Sequence, residues 1–235
     1  MVDAIQIKKE IIMNKLIKYL VWLIFIVPAA YLSFIWNDLP EKVPMHYNLK
    51  GEIDRYGSKS ELLILIAVIT AVNIGVYFLL VNINRIDPKK KYSSENLPRM
   101  RSLAFAISIF LSAIACFILY TSVHTGIKFN PKFVVVVVGL LFAVIGNYFY
   151  TIKPNYFAGL RTPWALENEE NWRLTHQLGG KLWFAGGLLI AIAGLFLNNV
   201  ALYIVLMITI VIMVAIPIVY SYRLYAKQKS GLSNK

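Results

Sequence analysis

The sequence predicts an all-α, polytopic integral membrane protein of six transmembrane helices, with both termini cytoplasmic. Three observations predict it. Of 235 residues, 58% are apolar and only 15% charged, where a soluble domain carries nearer a quarter charged. The apolar residues are gathered into charge-free windows at 19–37, 62–84, 102–123, 133–152 and 182–222. A helix needs roughly 20 apolar residues to cross the hydrocarbon core of a bilayer. The last window is long enough for two spans and carries Asn198-Asn199 near its middle, a turn pair that divides it into a helical hairpin. Finally, six spans place 18 of the 24 Lys and Arg on the side that holds both termini, and 6 on the other. Cytoplasmic loops are the Lys/Arg-rich ones. The net charge of +12 is therefore a topology signal, helped by anionic headgroups, and implies no direct nucleic-acid binding.

Taken in order, residues 1–18 are a basic, mildly amphipathic lead-in suited to the inner headgroup layer. Helix 1 follows from about 19 to 36, with Pro28 mid-span, tolerated where neighbours satisfy the freed carbonyl. It reads as a retained helix. Its apolar run exceeds a signal-peptide core, and Ser33 to Asn37 (SFIWN) offer no small-x-small cleavage site. An outer loop, 37–61, leads to helix 2 (about 62–84), and a strongly basic inner loop leads to helix 3 (about 102–123). Helix 4 covers about 133–151. A polar inner stretch precedes helices 5 and 6, and a basic tail begins at Arg223. The chain divides into an N-terminal part, 1–101, and a four-helix part, 102–235.

Helix 3 carries small residues every four positions, Ala104, Ser108, Ser112 and Cys116, and the pairs Gly139/Ala143 and Gly187/Ala191 repeat the spacing. Such stripes let helix backbones approach closely in lipid. They serve packing within the bundle or, alternatively, a homodimer face. Cys116 is the single cysteine, so no disulfide framework or thiol metal site is expected.

No ionisable residue lies inside any window, which argues against a proton path. The polar exceptions are Asn73 in helix 2 and Asn147 near the inner end of helix 4. Asn73 offers an interhelical hydrogen bond, worth about 1 kcal/mol, or a substrate or ion contact. Enzyme signatures are missing: no HExxH, no GxSxG and no glycine-rich phosphate loop. The chain is read as a non-enzyme without cofactor. His46 and His124 fall outside and His176 inside, and no carboxylate or cysteine stands at ligand spacing in the sequence to support a metal.

Two polar stretches are patterned. In the outer loop, VPMHYNLKGEIDRYGSKSE (43–61), Pro44 holds Val43 extended, and Lys50-Gly51 and Tyr56-Gly57 are turn points. In the inner stretch, Pro154-Asn155 stops helix 4, and Gly159 permits a tight turn ahead of Arg161. Thr162 reads as an N-cap with Pro163 at the first helical position. Asn168 caps a second start, with Glu169 and Glu170 in its first turn. Glu169 and Arg173 are spaced to pair, and Trp172 and His176 share a face. Gly179-Gly180 then marks a joint before helix 5. The segment is expected to be a turn and a short amphipathic helix along the inner membrane surface, an elbow that either shapes the fold or binds a partner.

The inner stretch, NYFAGLRTPWALENEENWRLTHQLGGKLW, resembles the signature of the SdpI family of bacterial membrane proteins. PMHYNLKGEIDRYGSK resembles the small domain of unknown function that often precedes it. The family pattern falls on Pro154, Asn155, Tyr156, Gly159, Arg161, Thr162, Pro163, Trp164, Trp172, Arg173, His176 and Gly180. In the outer loop it falls on Pro44, His46, Asn48, Gly51, Asp54, Arg55, Tyr56, Gly57 and Lys59. Members often have serine where this chain has Asn168, which keeps the cap. The resemblance implies a multi-pass protein of the bacterial cell membrane that gives immunity to a secreted antimicrobial peptide toxin. The best-understood members answer the sporulation-delaying killing factor. The same protein can act as a toxin receptor that recruits a cytoplasmic ArsR-type autorepressor to the membrane. The competing reading is a small-substrate or peptide exporter, resting on Asn73, Pro28 and the small-residue stripes.

Overall fold

The structure is a computed structural model. It describes residues 2–48, 50–124, 130 and 132–233, with the side chains of residues 2–18, 90, 93 and 231–233 outside the description. The chain is mostly helical, as expected, with one departure in the loop after the first helix. In order the elements are α1 (Val2–Ile35), β1 (Val43–Tyr47), β2 (Ile53–Gly57), α2 (Lys59–Val81) and α3 (Ile83–Ile86), then a 3-10 turn (Lys90–Tyr92). They continue with α4 (Ser93–Val123), α5 (Lys132–Phe149), α6 (Pro163–Glu167), α7 (Glu169–Phe196) and α8 (Asn199–Ser233). Among the described residues five helices, α2, α4, α5, α7 and α8, are long and apolar enough to cross a membrane. The expected first span corresponds to a shorter apolar stretch, Tyr19–Ile35, within the longer α1. The expected amphipathic face of the lead-in falls on side chains outside the description.

The chain forms two compact units. One comprises Met1–Phe78 and Ala104–Phe129, the other Leu79–Leu103 and Asn130–Lys235.

In the first unit the loop after α1 folds as an antiparallel β-hairpin, the departure from an all-α chain. Val43 pairs with Gly57, Pro44 with Tyr56, His46 with Arg55 and Tyr47 with Ile53, with bulges on either side of His46. The turn is organised by Asn48, whose Oδ1 accepts the backbone N–H of Lys50 at 2.9 Å and of Glu52 at 3.0 Å. Gly51 takes the positive φ, 80°, that the turn requires. Tyr56-Gly57, expected as a second turn, instead ends β2. A Cβ on Gly57 would meet Met45 Cγ at 2.7 Å and Glu61 Oε2 at 2.8 Å, side-chain atoms that would have to shift to admit it. A reciprocal capping box then starts α2: Glu61 N–H donates to Ser58 Oγ and Ser58 N–H to Glu61 Oε1, both at 3.2 Å. Val43, Leu39, Ile35 and Leu32 are buried with Leu62, Ile66, Ala115 and Leu119 in one apolar cluster. The hairpin is thus anchored through the first residue of β1. The stripe on α4 turns inward: Ala104 and Ser108 are buried, and Ser112 Oγ donates to the Ile24 carbonyl at 2.7 Å.

In the second unit, α5 and α7 pack backbone to backbone. A Cβ on Gly139 would stand 2.7 Å from both Ala191 N and Gly187 O, and one on Gly180 would stand 2.8 Å from Gly146 O and Tyr150 N. A Cβ on Gly146 would strike Phe184 N, and one on Gly187 would strike Ala143 N. The small-residue pairs read from the sequence therefore face each other within the chain. The Gly179-Gly180 joint is a correction. α7 runs unbroken through it from Glu169 to Phe196, and Gly180 is there to admit α5. The helical hairpin falls where the asparagines placed it: α7 ends at Phe196 and α8 begins at Asn199.

Candidate functional site

The polar stretch before α7 is held in the second unit by buried bonds between distant parts of the chain. Asn155, fully buried, forms the first turn. Its Oδ1 accepts the N–H of Phe157 at 2.9 Å and of Ala158 at 2.7 Å, and its Nδ2 donates to the Lys153 carbonyl at 3.0 Å. Asn96, in the first turns of α4, clamps Lys153 from the other side. It accepts the Lys153 N–H at 2.9 Å and donates to the Lys153 carbonyl at 3.1 Å. Asp87 bridges Lys89 N (2.8 Å) and Tyr156 N (3.3 Å), and Lys89 Nζ donates to the Leu166 carbonyl. The basic loop between α2 and α4 is therefore part of the elbow.

Gly159 has φ 98°, and a Cβ there would strike His176 Nε2. The bare glycine lets the chain pass close enough for Leu160 N–H to donate to that nitrogen at 2.9 Å. Because Nε2 accepts, the proton sits on Nδ1, which donates to the Trp172 carbonyl at 2.8 Å. His176 is buried, stacked on Trp172 at 3.9 Å between centroids, and edge-on to Phe149. Trp172 Nε1 donates to the Ile152 carbonyl at 2.9 Å. Trp172 and His176 do share a face, and that face is interior. Both act as connectors.

Asn168 caps α7 as expected, accepting Asn171 N–H at 2.8 Å, and Glu169 and Glu170 occupy the first turn. Thr162 occupies the N-cap position of α6, with Pro163 at its start, yet makes no side-chain capping bond. Its hydroxyl lies 3.3 Å from Ser221 Oγ instead. Ser221, on α8, also receives Trp164 Nε1 at 2.9 Å and donates to Asn171 Oδ1 at 2.6 Å. Asn171 Nδ2 returns to the Ser221 carbonyl at 2.9 Å, and Thr175 Oγ1 donates to Asn171 Oδ1 at 3.0 Å. Trp164 packs on Tyr222 and Tyr225. The expected Glu169–Arg173 pair does not form. Glu169 bonds Lys91 Nζ at 2.5 Å, which raises the pKa of Lys91 above its ordinary value. Among the described residues Arg173 donates only to Gln177 Oε1, at 3.4 Å.

Of the motif residues, Pro154, Asn155, Trp172, His176 and Gly180 are buried, whereas Tyr156, Arg161, Pro163 and Arg173 are exposed. Arg161 curls back to donate to the Tyr156 carbonyl at 2.8 Å. Asp87, Asn96, Asn171 and Ser221 were missed by the sequence reading. The one available signal was a serine at the end of a nearly continuous apolar run. A cavity of about 560 Å³ opens beside the elbow, lined among others by Tyr92, Arg99, Lys153, Glu170, Trp172 and Arg173.

In the first unit, His46 Nδ1 lies 2.6 Å from Asp54 Oδ1 across the hairpin, so a carboxylate does stand beside this histidine in space. His124 stacks on Tyr120 and meets its carbonyl at 2.9 Å. Among the described residues no group of three or more His, Cys, Asp or Glu could hold a metal. Arg55 reaches Glu61 at 3.4 Å, and Lys59 donates to the Trp36 carbonyl at 3.1 Å. Asn73 is buried and donates to the Ser108 carbonyl at 3.2 Å, an interhelical bond. Its Oδ1 and Ser108 Oγ have no partner among the described residues. Asn147 is on the exposed face of α5.

Residues 151–221 match the SdpI/YfhL protein family, and residues 23–71 match a domain of unknown function, DUF1648. The chain is 24% identical over 212 residues to the immunity protein SdpI of Bacillus subtilis (strain 168), covering 87% of this chain and 94% of the relative. No solved structure matches it. The resemblance carried by the two motifs is borne out.

Proposed function

We propose that this chain, carrying an SdpI-family segment behind a DUF1648 segment, is a membrane immunity protein protecting its cell from a secreted antimicrobial peptide. The observation that carries the reading is the likeness to an immunity protein along nearly the full length of both chains. The finer proposal has six spans, with both termini and the elbow in the cytoplasm and the hairpin outside. The peptide meets the hairpin side. The elbow reports its arrival by recruiting an ArsR-type repressor. Exposed Arg161 and the half-buried Trp164 rim supply side chains a cytoplasmic protein can reach.

The test expresses the chain in a strain killed by the peptide, with the repressor tagged. Wild type is expected to restore survival and carry the repressor into the membrane fraction. Arg161→Ala and Trp164→Ala are expected to abolish recruitment at equal protein abundance. Recruitment unchanged in both variants removes the elbow's signalling role, and no survival with wild type removes immunity. Labelling a cysteine placed at position 168 from outside intact cells inverts the topology.

Export is the second reading, favoured by the unpartnered polar atoms of Asn73 and Ser108. Peptide uptake into inverted vesicles that is lost in Asn73→Leu supports it. Peptide binding by purified protein with no gradient present supports sequestration.

A further inference from the structure

The cavity beside the elbow combines three features that the immunity reading does not use. Two guanidiniums line it, Arg99 and Arg173, and neither has a carboxylate partner among the described residues. Arg99 donates only to the Glu95 carbonyl of its own helix, at 2.8 Å, and Arg173 is left open because Lys91 takes Glu169. Lys153 adds a third cation, held 3.9 Å from Glu95. On the same lining, Glu170 has no cationic partner among the described residues. Tyr92 and Trp172 supply aromatic walls. The cavity lining thus carries cations that suit an anion and a carboxylate that suits a cation.

Its depth follows from the sequence. Arg99 stands just ahead of the apolar window of α4 and Lys153 just after that of α5, and Trp172, beside Arg173 on α7, bonds the Ile152 carbonyl at that same level. Three helices leave the apolar layer here, at the level where headgroups lie and where aromatic rings with a polar edge are best accommodated.

We propose that this cavity binds a zwitterionic aminophospholipid headgroup, its phosphodiester on Arg99, Lys153 and Arg173 and its primary ammonium on Glu170. Guanidinium presents paired N–H donors matched to phosphate oxygens. Glu169 also lines the cavity but is held by Lys91, so the ammonium brings its three donors to Glu170. A bound headgroup would link the first turns of α4 to the first turn of α7.

The experiment uses the full chain, purified in mild detergent, with lipid retention read by native mass spectrometry. Wild type is expected to retain phosphatidylethanolamine over phosphatidylglycerol, which lacks the ammonium, and over phosphatidylcholine, whose methylated nitrogen has no N–H. Arg99→Ala combined with Arg173→Ala is expected to lower that retention about tenfold or more. Glu170→Gln is expected to erase the preference over phosphatidylglycerol while keeping binding. Arg223→Ala, an exposed cation away from the cavity lining, is expected to change nothing. Should the double variant fail to fold by circular dichroism, Glu170→Gln carries the test. Equal retention of all three lipids overturns the proposal, as does an unaffected double variant or an unchanged preference in Glu170→Gln. Glycerophosphoethanolamine, the headgroup without chains, separates the sources: binding as tight as the lipid assigns the site to a soluble ligand. Displacement of the lipid by an acidic peptide would assign the cavity to a protein partner.

Discussion

The hairpin and the elbow are both polar, both fall on family motifs, and are built in opposite ways. Around the hairpin, several side-chain bonds are short-range and exposed: His46 to Asp54, Asn48 to Glu52, Ser58 to Glu61. The elbow adds long-range bonds that are buried or partly buried: Asn171 to Ser221, Trp172 to Ile152, Asn96 to Lys153. Exposed bonds exchange with water and contribute little net stability, while a buried polar group left without its partner bears the full desolvation cost. The hairpin is therefore a locally specified cap whose surface can change. The elbow is a tie among chain segments that tolerates little.

That contrast can be broken by substitution. Gly180→Leu drives a side chain into the α5 backbone and is expected to cost about 3 kcal/mol or more, read as a lowered midpoint of thermal unfolding in detergent. A loss below 1 kcal/mol would show that α5 and α7 do not meet backbone to backbone. Asn171→Ala removes the three side-chain bonds of Asn171 and is expected to cost about 2–3 kcal/mol. An equal cost for Ser221→Ala, with a double variant no worse than either, would sharpen the case that the two act as one unit. His46→Ala, on the exposed pair, is expected to cost less than about 1 kcal/mol. A loss matching Asn171→Ala would erase the distinction between the two regions.

Much of this was legible in the sequence wherever the cause is local. Charge-free runs located the apolar helices, Asn198-Asn199 placed the α7–α8 turn, Asn168 capped α7, and Gly51 and Gly159 took positive φ. What escaped depends on distant neighbours. The strands are five residues each, interrupted by bulges and a proline, so they show no clean alternation. Gly179-Gly180 looked like a joint because the sequence does not show α5 lying against it. Glu169 looked like Arg173's partner because Lys91, remote in sequence, was out of sight. Asp87 and Asn96 sit in a charged loop that reads as solvated, although both are buried.

One hydroxyl gathers more consequence than its size suggests. Ser221 lies on the final helix, yet it completes the bonding of Thr162, Trp164 and Asn171. Ribosomes deliver those three residues first and must translate some fifty more before their partner emerges. Throughout that interval Thr162, Trp164 and Asn171 lack their α8 partner, and this part of the elbow closes only when α8 docks. A premature stop upstream of that serine would leave the apolar helices largely written but the latch permanently undone.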